Sequence, residues 1–386
     1  SANTNSVCAG NTATLNASGA STYVWAHGGT AASTQVSPNA TTTYTVTGTS
    51  AGGCVNTAST SVTVNASPTA NAGADVTGAS TCGKNTTPVS ASALAVGTTG
   101  LWSVVSGTGN TLFSLSGTAA NCDFTGTYGQ TYTLAWTVTN TTTYCTNTDN
   151  MVVTFNQPNT SSLGNNISTG DLLWNGLTNT DWSTATNWYA VNTAGLFERQ
   201  TGSIEPTAAH QVFTLSSANG GICIGSNMPA LGSGETALDV FITPGMTLNM
   251  GSGSLNLSGN LVNDGTINAS QGTVNFVGAV NSTISGLGTT TLNNVTVNKD
   301  PGYTVTLSKD VAVSGILNML QGNVTTAASP YGLLTLGTSS TVPGTLTWIS
   351  GNIVGPFRRY FADLVTSGNA GLFPVGTAAY QRYAKV

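Results

Sequence analysis

Four aspartates lie where a β-rich scaffold could carry out acid–base chemistry: Asp239, Asp264, Asp300 and Asp310. Two carboxylates facing one cleft can act as general acid and as base or nucleophile in glycoside hydrolysis. Three of the four stand in turn sequences, where an Asp side chain bonds to nearby backbone. Asp239 lies between two apolar residues of a strand pattern, which predicts an outward-pointing side chain. Structural roles are therefore favoured, and no catalytic residue is predicted.

Histidine and metal chemistry find little support in the sequence. The two histidines, His27 and His210, are far apart in the chain, and neither has a Cys, His or acidic residue at a metal-ligand spacing. Asp75 and Asp149 could be calcium ligands, but no Asp-rich loop accompanies them. We predict no metal and no cofactor.

The chain contains six cysteines: Cys8, Cys54, Cys82, Cys122, Cys145 and Cys223. The absence of a Cys-x-x-Cys motif and the scarcity of His argue against zinc and favour an oxidising compartment. Cys8 and Cys54 lie in one short region and are predicted to form a disulfide. In the chain-entropy model, that loop contributes about 4 kcal/mol to stability.

Three tryptophans, Trp174, Trp182 and Trp188, crowd into one short stretch. Such aromatic rings could form a platform for stacking sugars or contacting a partner. More often they cap the open end of a β-solenoid, where they cover backbone groups that would template aggregation. The cap is the favoured interpretation.

Charge is unusually scarce in this chain of 386 residues. Lys, Arg, Asp and Glu make up 5% of it, against about 25% in an average soluble protein. The net charge of −5 includes no basic cluster of the kind that nucleic-acid binding needs. The sequence contains no run of 18 consecutive apolar residues, so no membrane span is predicted. A surface of Ser, Thr, Asn and Gly is typical of an extracellular protein.

The elements that would position these residues are short strands. Between residues 237 and 328, alternating runs are interrupted by Gly, Asn and Asp, which predicts a stacked β-solenoid. Alternation between Val7 and Val64 predicts a small antiparallel sandwich with Trp25 in its core. Ser67-Pro68 marks a linker, and a second linker begins at Asn156.

Several segments resemble repeats of known surface proteins. Cys8-Ala-Gly-Asn-Thr, Tyr23-Val-Trp and Gly53-Cys-Val-Asn look like Ig-like repeats, and Tyr132-Thr-Leu-Ala-Trp resembles a PKD-like domain. Trp174-Asn-Gly, Asp181-Trp and Asn187-Trp resemble the opening of a β-solenoid domain. All three types occur in large secreted adhesins of gliding Gram-negative bacteria that use type IX secretion.

This resemblance implies an all-β fold in three domains. Residues 1–67 would form an Ig-like β-sandwich and residues 68–158 a PKD-like one. Residues 159–386 would form a right-handed parallel β-helix with a Trp-rich N-terminal cap, which we expect to continue beyond Val386. By analogy with the first domain, Cys82 would pair with Cys145. Cys122 would then either bridge to Cys223 or to another subunit, or remain a buried free thiol.

The resulting functional expectation is a non-enzymatic extracellular structural or adhesive protein in a cell-surface or filament-forming assembly. Its partners would be further copies or neighbouring subunits, with no nucleic acid and no membrane span. One alternative is a protein that binds or degrades extracellular polysaccharide through the solenoid and its tryptophans. The other is a passive stalk for a distal domain.

Overall fold

The computed structural model describes residues 6–164, 167–200, 202, 204–326 and 332–361, and four short strands between 372 and 385. The chain is all-β, with 46% strand and 6% helix, which confirms the predicted class. Its residues group into two compact units. The first comprises 1–77 and 85–155, and the second comprises 78–84 and 156–386.

The first unit consists of short strands joined by turns. In chain order they are β1 (Ser6–Cys8), β2 (Ala13–Asn16), β3 (Thr22–Trp25), β4 (Ser33–Val36), β5 (Thr42–Thr49), β6 (Val55–Asn65), β7 (Thr86–Ser90), β8 (Thr98–Ser106), β9 (Leu112–Phe113), β10 (Asn121–Thr125), β11 (Thr131–Asn140) and β12 (Thr146–Thr154). A single 3-10 turn at Ser114–Gly117 interrupts the strands described there.

Two apolar cores organise this unit. In the first, the sheet ordered β1-β6-β5-β3 and the pair β2-β4 contribute side chains around Trp25, which is buried as predicted. In the second, the sheets β7-β10-β9 and β12-β11-β8 enclose Trp102 and Trp136, whose ring centroids lie 5.2 Å apart. Both tryptophans are buried in this one core. The Ig-like and PKD-like identities, and the boundary at residues 67/68, stay predictions.

The disulfides differ from those predicted in the first unit. Cys8 bonds to Cys145, with 5.5 Å between their Cα atoms, and Cys54 is a free, exposed thiol. Strand β1 lies parallel to the far end of β6, so that Cys8 pairs in register with Asn65. Cys54 precedes the near end of this 11-residue strand, which is about 36 Å long. A Cys8–Cys54 bridge is therefore geometrically excluded.

The predicted Cys82–Cys145 bridge is also wrong. Cys82 lies in the segment that belongs to the second unit and bonds to Cys223, with a Cα separation of 5.3 Å. Cys122 is buried and unpaired. Of the two alternatives for that residue, the bridge to Cys223 is ruled out, and the thiol is free and buried.

The second unit also consists mainly of strands. They are β13 (Leu172–Trp174), β14 (Trp188–Val191), β15 (Phe197–Arg199), β16 (Gln211–Thr214), β17 (Glu235–Ala237), β18 (Asp239–Ile242), β19 (Thr247–Asn249), β20 (Ser254–Leu257), β21 (Leu261–Asn263), β22 (Thr266–Asn268), β23 (Thr273–Gly278), β24 (Ser282–Ser285), β25 (Thr290–Leu292), β26 (Asn294–Lys299), β27 (Thr304–Leu307), β28 (Val311–Val313), β29 (Ile316–Gln321), β30 (Asn323–Thr326), β31 (Leu334–Leu336), β32 (Thr345–Trp348), β33 (Ile353–Val354), β34 (Phe357–Arg359), β35 (Leu372–Phe373), β36 (Gly376–Thr377), β37 (Tyr380–Gln381) and β38 (Ala384–Lys385). Its helical elements are α1 (Ser217–Gly220) and 3-10 turns at Gly78–Thr81, Ser161–Leu163, Ala185–Asn187 and Gly221–Cys223.

These strands form the predicted β-solenoid, with about five turns. Each coil contributes one strand to each face, and the strands of a face pair in parallel with those of the next coil. Alternate residues point inward to one continuous core that includes Leu255, Phe276 and Leu317. The pairing continues through β34, so the solenoid extends past the end expected near Ala328, a residue outside those described. The right-handed sense stays a prediction.

Candidate functional site

Two aspartates of the solenoid, Asp264 and Asp310, bond to the backbone of the following coil. The Asp264 carboxylate (Oδ1) accepts a hydrogen bond from the Leu287 N–H at 2.7 Å, and Asp310 Oδ1 accepts one from the Leu333 N–H at 2.8 Å. In both cases the donor lies 23 residues further along the chain. Each carboxylate thus satisfies a backbone donor that the parallel ladder leaves unpaired.

Asparagines make the same type of bond at other positions of the solenoid. Asn260 Oδ1 accepts from the Thr283 N–H and Asn281 Oδ1 from the Thr304 N–H, each at 2.9 Å and each 23 residues on. Because a neutral amide makes the same type of bond as a carboxylate, the contact requires a hydrogen-bond acceptor and no charge. We call this set of side-chain-to-next-coil bonds the acceptor ladder.

Asp239 does not point outward as the sequence suggested. It is 9% exposed, and its Oδ1 accepts a hydrogen bond from the Asn260 N–H. A Cβ at Gly259 would lie 2.3 Å from that oxygen, so the glycine makes room for the carboxylate. Asp300 is exposed in a turn, where its backbone carbonyl accepts from the Tyr303 N–H. None of the four aspartates therefore needs a catalytic explanation.

Lys299 is a buried cation that the sequence analysis missed. Its side chain is 0% exposed, and its Nζ donates to the Ser258 carbonyl at 2.6 Å and the Val277 carbonyl at 2.7 Å. Burial lowers the pKa of Lys299 to about 8, while Asp300 acts in the opposite direction. The sequence contains one indication of this burial. Lys299 follows Val295 and Val297 at every second position of β26, so it lies on the same inward side of the strand. One ammonium thus joins three successive coils.

Lys309 makes a related contact nearer the surface. Its Nζ donates to the Gly288 carbonyl, which lies one coil earlier. Burial lowers the pKa of Lys309, and Asp264 opposes that shift. Both lysines therefore bond carbonyls of the solenoid backbone.

The three tryptophans proposed as a contact surface are buried. Trp174, Trp182 and Trp188 are each 0% exposed, and their rings pack edge-to-face with centroids 5.0 Å and 4.9 Å apart. Trp188 Nε1 donates to the Trp182 carbonyl at 2.8 Å, and Trp174 Nε1 donates to the Asn227 carbonyl at 2.8 Å. No sugar can stack on these rings, so the alternative of a sugar-stacking platform is wrong. Their place beside β14 and β15, which extend the ten-stranded sheet antiparallel, supports the cap interpretation.

The remaining candidates have structural partners. Asp75 Oδ1 accepts from the Val152 N–H at 2.7 Å, and Asp149 Oδ2 accepts from the Ala72 N–H at 2.8 Å. His210 Nδ1 accepts from a backbone N–H at 3.1 Å, and His27 is exposed. Within the described parts of the chain, no three His, Cys, Asp or Glu side chains are grouped to hold a metal. Nor does any helix described there have the length and apolarity to cross a membrane.

Two cavities bear on ligand binding. A groove of about 460 Å³ in the first unit is lined by Tyr23, Val46 and the free Cys54, among others. A void inside the solenoid, lined by Phe276 and Leu317, measures about 10 Å³, the size of one water molecule. This part of the solenoid interior is a packed core without room for a ligand.

The outer surface of the six-stranded sheet is the most regular feature of the solenoid. Two adjacent columns of its outward residues contain one residue per coil: Thr236, Asn256, Asn275, Thr296, Asn318 and Thr347 in the first, and Ser254, Thr273, Asn294, Ile316 and Thr345 beside it. A further outward column includes Val277 and Asn298. We call the first two columns the polar face. None of its side chains is ionisable. Asn275 Nδ2 donates to Asn256 Oδ1 at 2.9 Å, which links adjacent coils along the first column.

No protein-family model matches the chain, and no curated protein matches it significantly.

Proposed function

We propose that this chain is a non-enzymatic extracellular structural or adhesive protein, part of a cell-surface or filament-forming assembly of the type its sequence resembles. One observation carries the proposal. Asp264 and Asp310 make in the acceptor ladder the same type of bond that the neutral side chains of Asn260 and Asn281 make at other positions. Carboxylates whose bonds neutral amides can also make are suited to building a rod and poorly suited to acid–base catalysis.

The extracellular placement is supported by chemistry of the whole chain. Two disulfides each join residues far apart in sequence, and such bonds persist in oxidising surroundings. A surface dominated by hydroxyls and amides changes little with pH or salt, because few groups titrate or are screened. The finer assignments of two Ig-like sandwiches and a right-handed solenoid belong to the same proposal.

Surface labelling tests the placement. Antibodies against the chain are applied to intact and permeabilised cells of the source bacterium, with a cytoplasmic protein as the control. We expect equal labelling of both samples and removal of the signal by protease added outside. Labelling that requires permeabilisation would overturn the proposal.

An activity assay tests the non-enzymatic assignment. The purified chain is incubated with neutral and acidic polysaccharides, and new reducing ends are measured. We expect no release above that of heat-inactivated protein. Release that Asp264→Asn or Asp310→Asn abolishes would show that the ladder carboxylates are catalytic.

A further inference from the structure

We propose that the polar face binds an extended neutral polysaccharide that runs along the solenoid axis, with one sugar residue over each coil. This inference rests on the proposed adhesive function and names the surface and the ligand class. The proposed contact with carbohydrate thus lies on a solvent-exposed surface and not on the buried tryptophans.

The absence of charged side chains on the polar face favours a neutral ligand. Its outward side chains are hydroxyls and amides, apart from Ile316. Phosphate and uronic acid groups would find no cation there, and burying a charge without a partner is costly. Hydroxyl groups of a neutral sugar, by contrast, both donate and accept hydrogen bonds, as do Ser, Thr and Asn.

The regular spacing of the strands along the polar face favours an extended polymer as the ligand. Neighbouring strands of a sheet lie about 4.8 Å apart, so the six strands span about 24 Å. An extended β-linked polysaccharide advances by a similar distance per sugar. Each residue of such a chain therefore meets the same pair of columns as the residue before it. Along one strand the two columns are about 7 Å apart, which allows contacts to both edges of a sugar ring.

The side chains are held in place before a ligand arrives. Asn256 accepts from Asn275 and donates to the Gly234 carbonyl at 3.4 Å. Asn318 Nδ2 donates to Thr296 Oγ1 at 3.5 Å. A primary amide has two N–H groups, so each asparagine retains a donor for a ligand. Groups that are already ordered lose less conformational entropy on binding.

The polar face differs from the other two surfaces of the solenoid. On the ten-stranded sheet, the outward column begins with Phe213, Phe241 and Val262, and Phe213 is buried there in a second apolar cluster. The third surface is divided into two sheets, β19-β22 and β25-β28-β31-β34, and includes Arg358. The two columns of the polar face are thus uncharged and, apart from Ile316, polar.

A second copy of the chain fits the face less well than a glycan. Stable protein interfaces have an apolar centre. Within the polar face, Ile316 is the apolar side chain and is 39% exposed. Partners that bind mainly through hydrogen bonds to hydroxyl groups suit such a surface better.

Binding of the full chain to defined polysaccharides tests the inference. The probes are microcrystalline cellulose and chitin in pull-down assays and soluble xyloglucan in affinity electrophoresis, with polygalacturonate as the acidic control. The test variant is Thr296→Arg, at the centre of the polar face. Its matched control is Thr325→Arg, an outward threonine of the ten-stranded sheet that contacts Thr306 in the neighbouring coil. Circular dichroism and urea unfolding confirm that both variants fold.

We expect the wild type and Thr325→Arg to bind at least one neutral probe and not polygalacturonate. Thr296→Arg should bind at least about tenfold more weakly, a difference of about 1.4 kcal/mol. Failure of the wild type to bind any neutral probe would overturn the inference, as would equal losses in both variants. Self-association in sedimentation that Thr296→Arg alone abolishes, without glycan binding, would instead make the face an interface between copies. Each of these results leaves the surface-labelling test untouched, so failure of this inference is distinguishable from failure of the proposed function.

Discussion

Replacing Lys299 by methionine removes a buried ammonium while preserving the length of the side chain. In the native protein this Nζ donates to the carbonyls of Ser258 and Val277 and is shielded from solvent. Burial lowers the pKa of Lys299 from its ordinary 10.5 to about 8. The folded state therefore holds the proton less tightly than the unfolded chain does.

This difference fixes the sign of a pH effect. Below pH 8 the lysine is protonated in both states, and the cost of the buried charge is fully present. Between pH 8 and 10.5 the unfolded chain binds more protons than the folded one, so stability rises with pH. At about 1.4 kcal/mol per pKa unit, the whole gain is about 3 kcal/mol.

Urea unfolding of the solenoid at several pH values between 7 and 10.5 measures the effect. The protein with Lys299 and its Lys299→Met variant both carry Cys54→Ser and Cys122→Ser, because either free thiol would exchange with the disulfides at high pH once the chain unfolds. The difference in unfolding free energy between the two proteins cancels most other titrations. We expect it to move by about 3 kcal/mol in favour of the lysine protein as pH rises. Lys309→Met, at a partly exposed lysine, should show a smaller change because water screens its charge.

A flat difference across this pH range would refute the reasoning. It would mean that the two carbonyl hydrogen bonds fully offset the loss of hydration. A difference that moves in favour of the methionine protein would reverse the sign assigned to burial.

Three further predictions concern single side chains. Asp264→Ala should lower the unfolding free energy measured in urea by about 1–2 kcal/mol, because a backbone N–H loses its acceptor. Asp264→Asn keeps an acceptor and should cost less than about 0.5 kcal/mol. Equal losses in the two variants would contradict the acceptor ladder. Iodoacetamide should alkylate Cys54 in the native protein and Cys122 only after unfolding, since burial and the adjacent Asp123 raise the pKa of the Cys122 thiol. Peptide mass spectrometry distinguishes the two sites. Modification of Cys122 in the native protein would count against its burial. In thermal unfolding, Trp188→Phe should destabilise the protein by about 1 kcal/mol more than Trp182→Phe does. The reason is that Trp188 Nε1 donates a hydrogen bond, while the buried Trp182 Nε1 has no partner. A larger loss of stability in Trp182→Phe would disprove this reasoning.

The solenoid could be predicted because its signal is local. Gly, Asn and Asp recur at short intervals between alternating apolar residues, and each interruption corresponds to a turn of a coil. The all-β class and the buried Trp25 follow from the same alternation. The continuation through β34 has weaker signals, because residues 337–344 contain a longer turn that interrupts the repeat.

The roles of Lys299 and Asp239 depend on contacts that sequence spacing does not reveal. The carbonyls that accept from Lys299 lie 41 and 22 residues earlier. Asp239 accepts from a residue 21 positions later. Alternation indicates which side of a strand a residue occupies. It cannot indicate that the next coil supplies a glycine, as Gly259 does, to receive a carboxylate.

The disulfides show the same limit more strongly. Six cysteines permit 15 complete pairings, and the expectation that each bridge lies within one predicted domain favoured the wrong ones. The observed bridges join residues 137 and 141 positions apart, because β1 lies against the far end of β6 and the segment with Cys82 belongs to the second unit. In the chain-entropy model, a loop of that length contributes about 5 kcal/mol, against about 4 kcal/mol for Cys8–Cys54. The long Cys8–Cys145 bridge restricts the unfolded chain across both cores of the first unit, so it couples their stabilities in a way that a bridge confined to residues 1–67 could not.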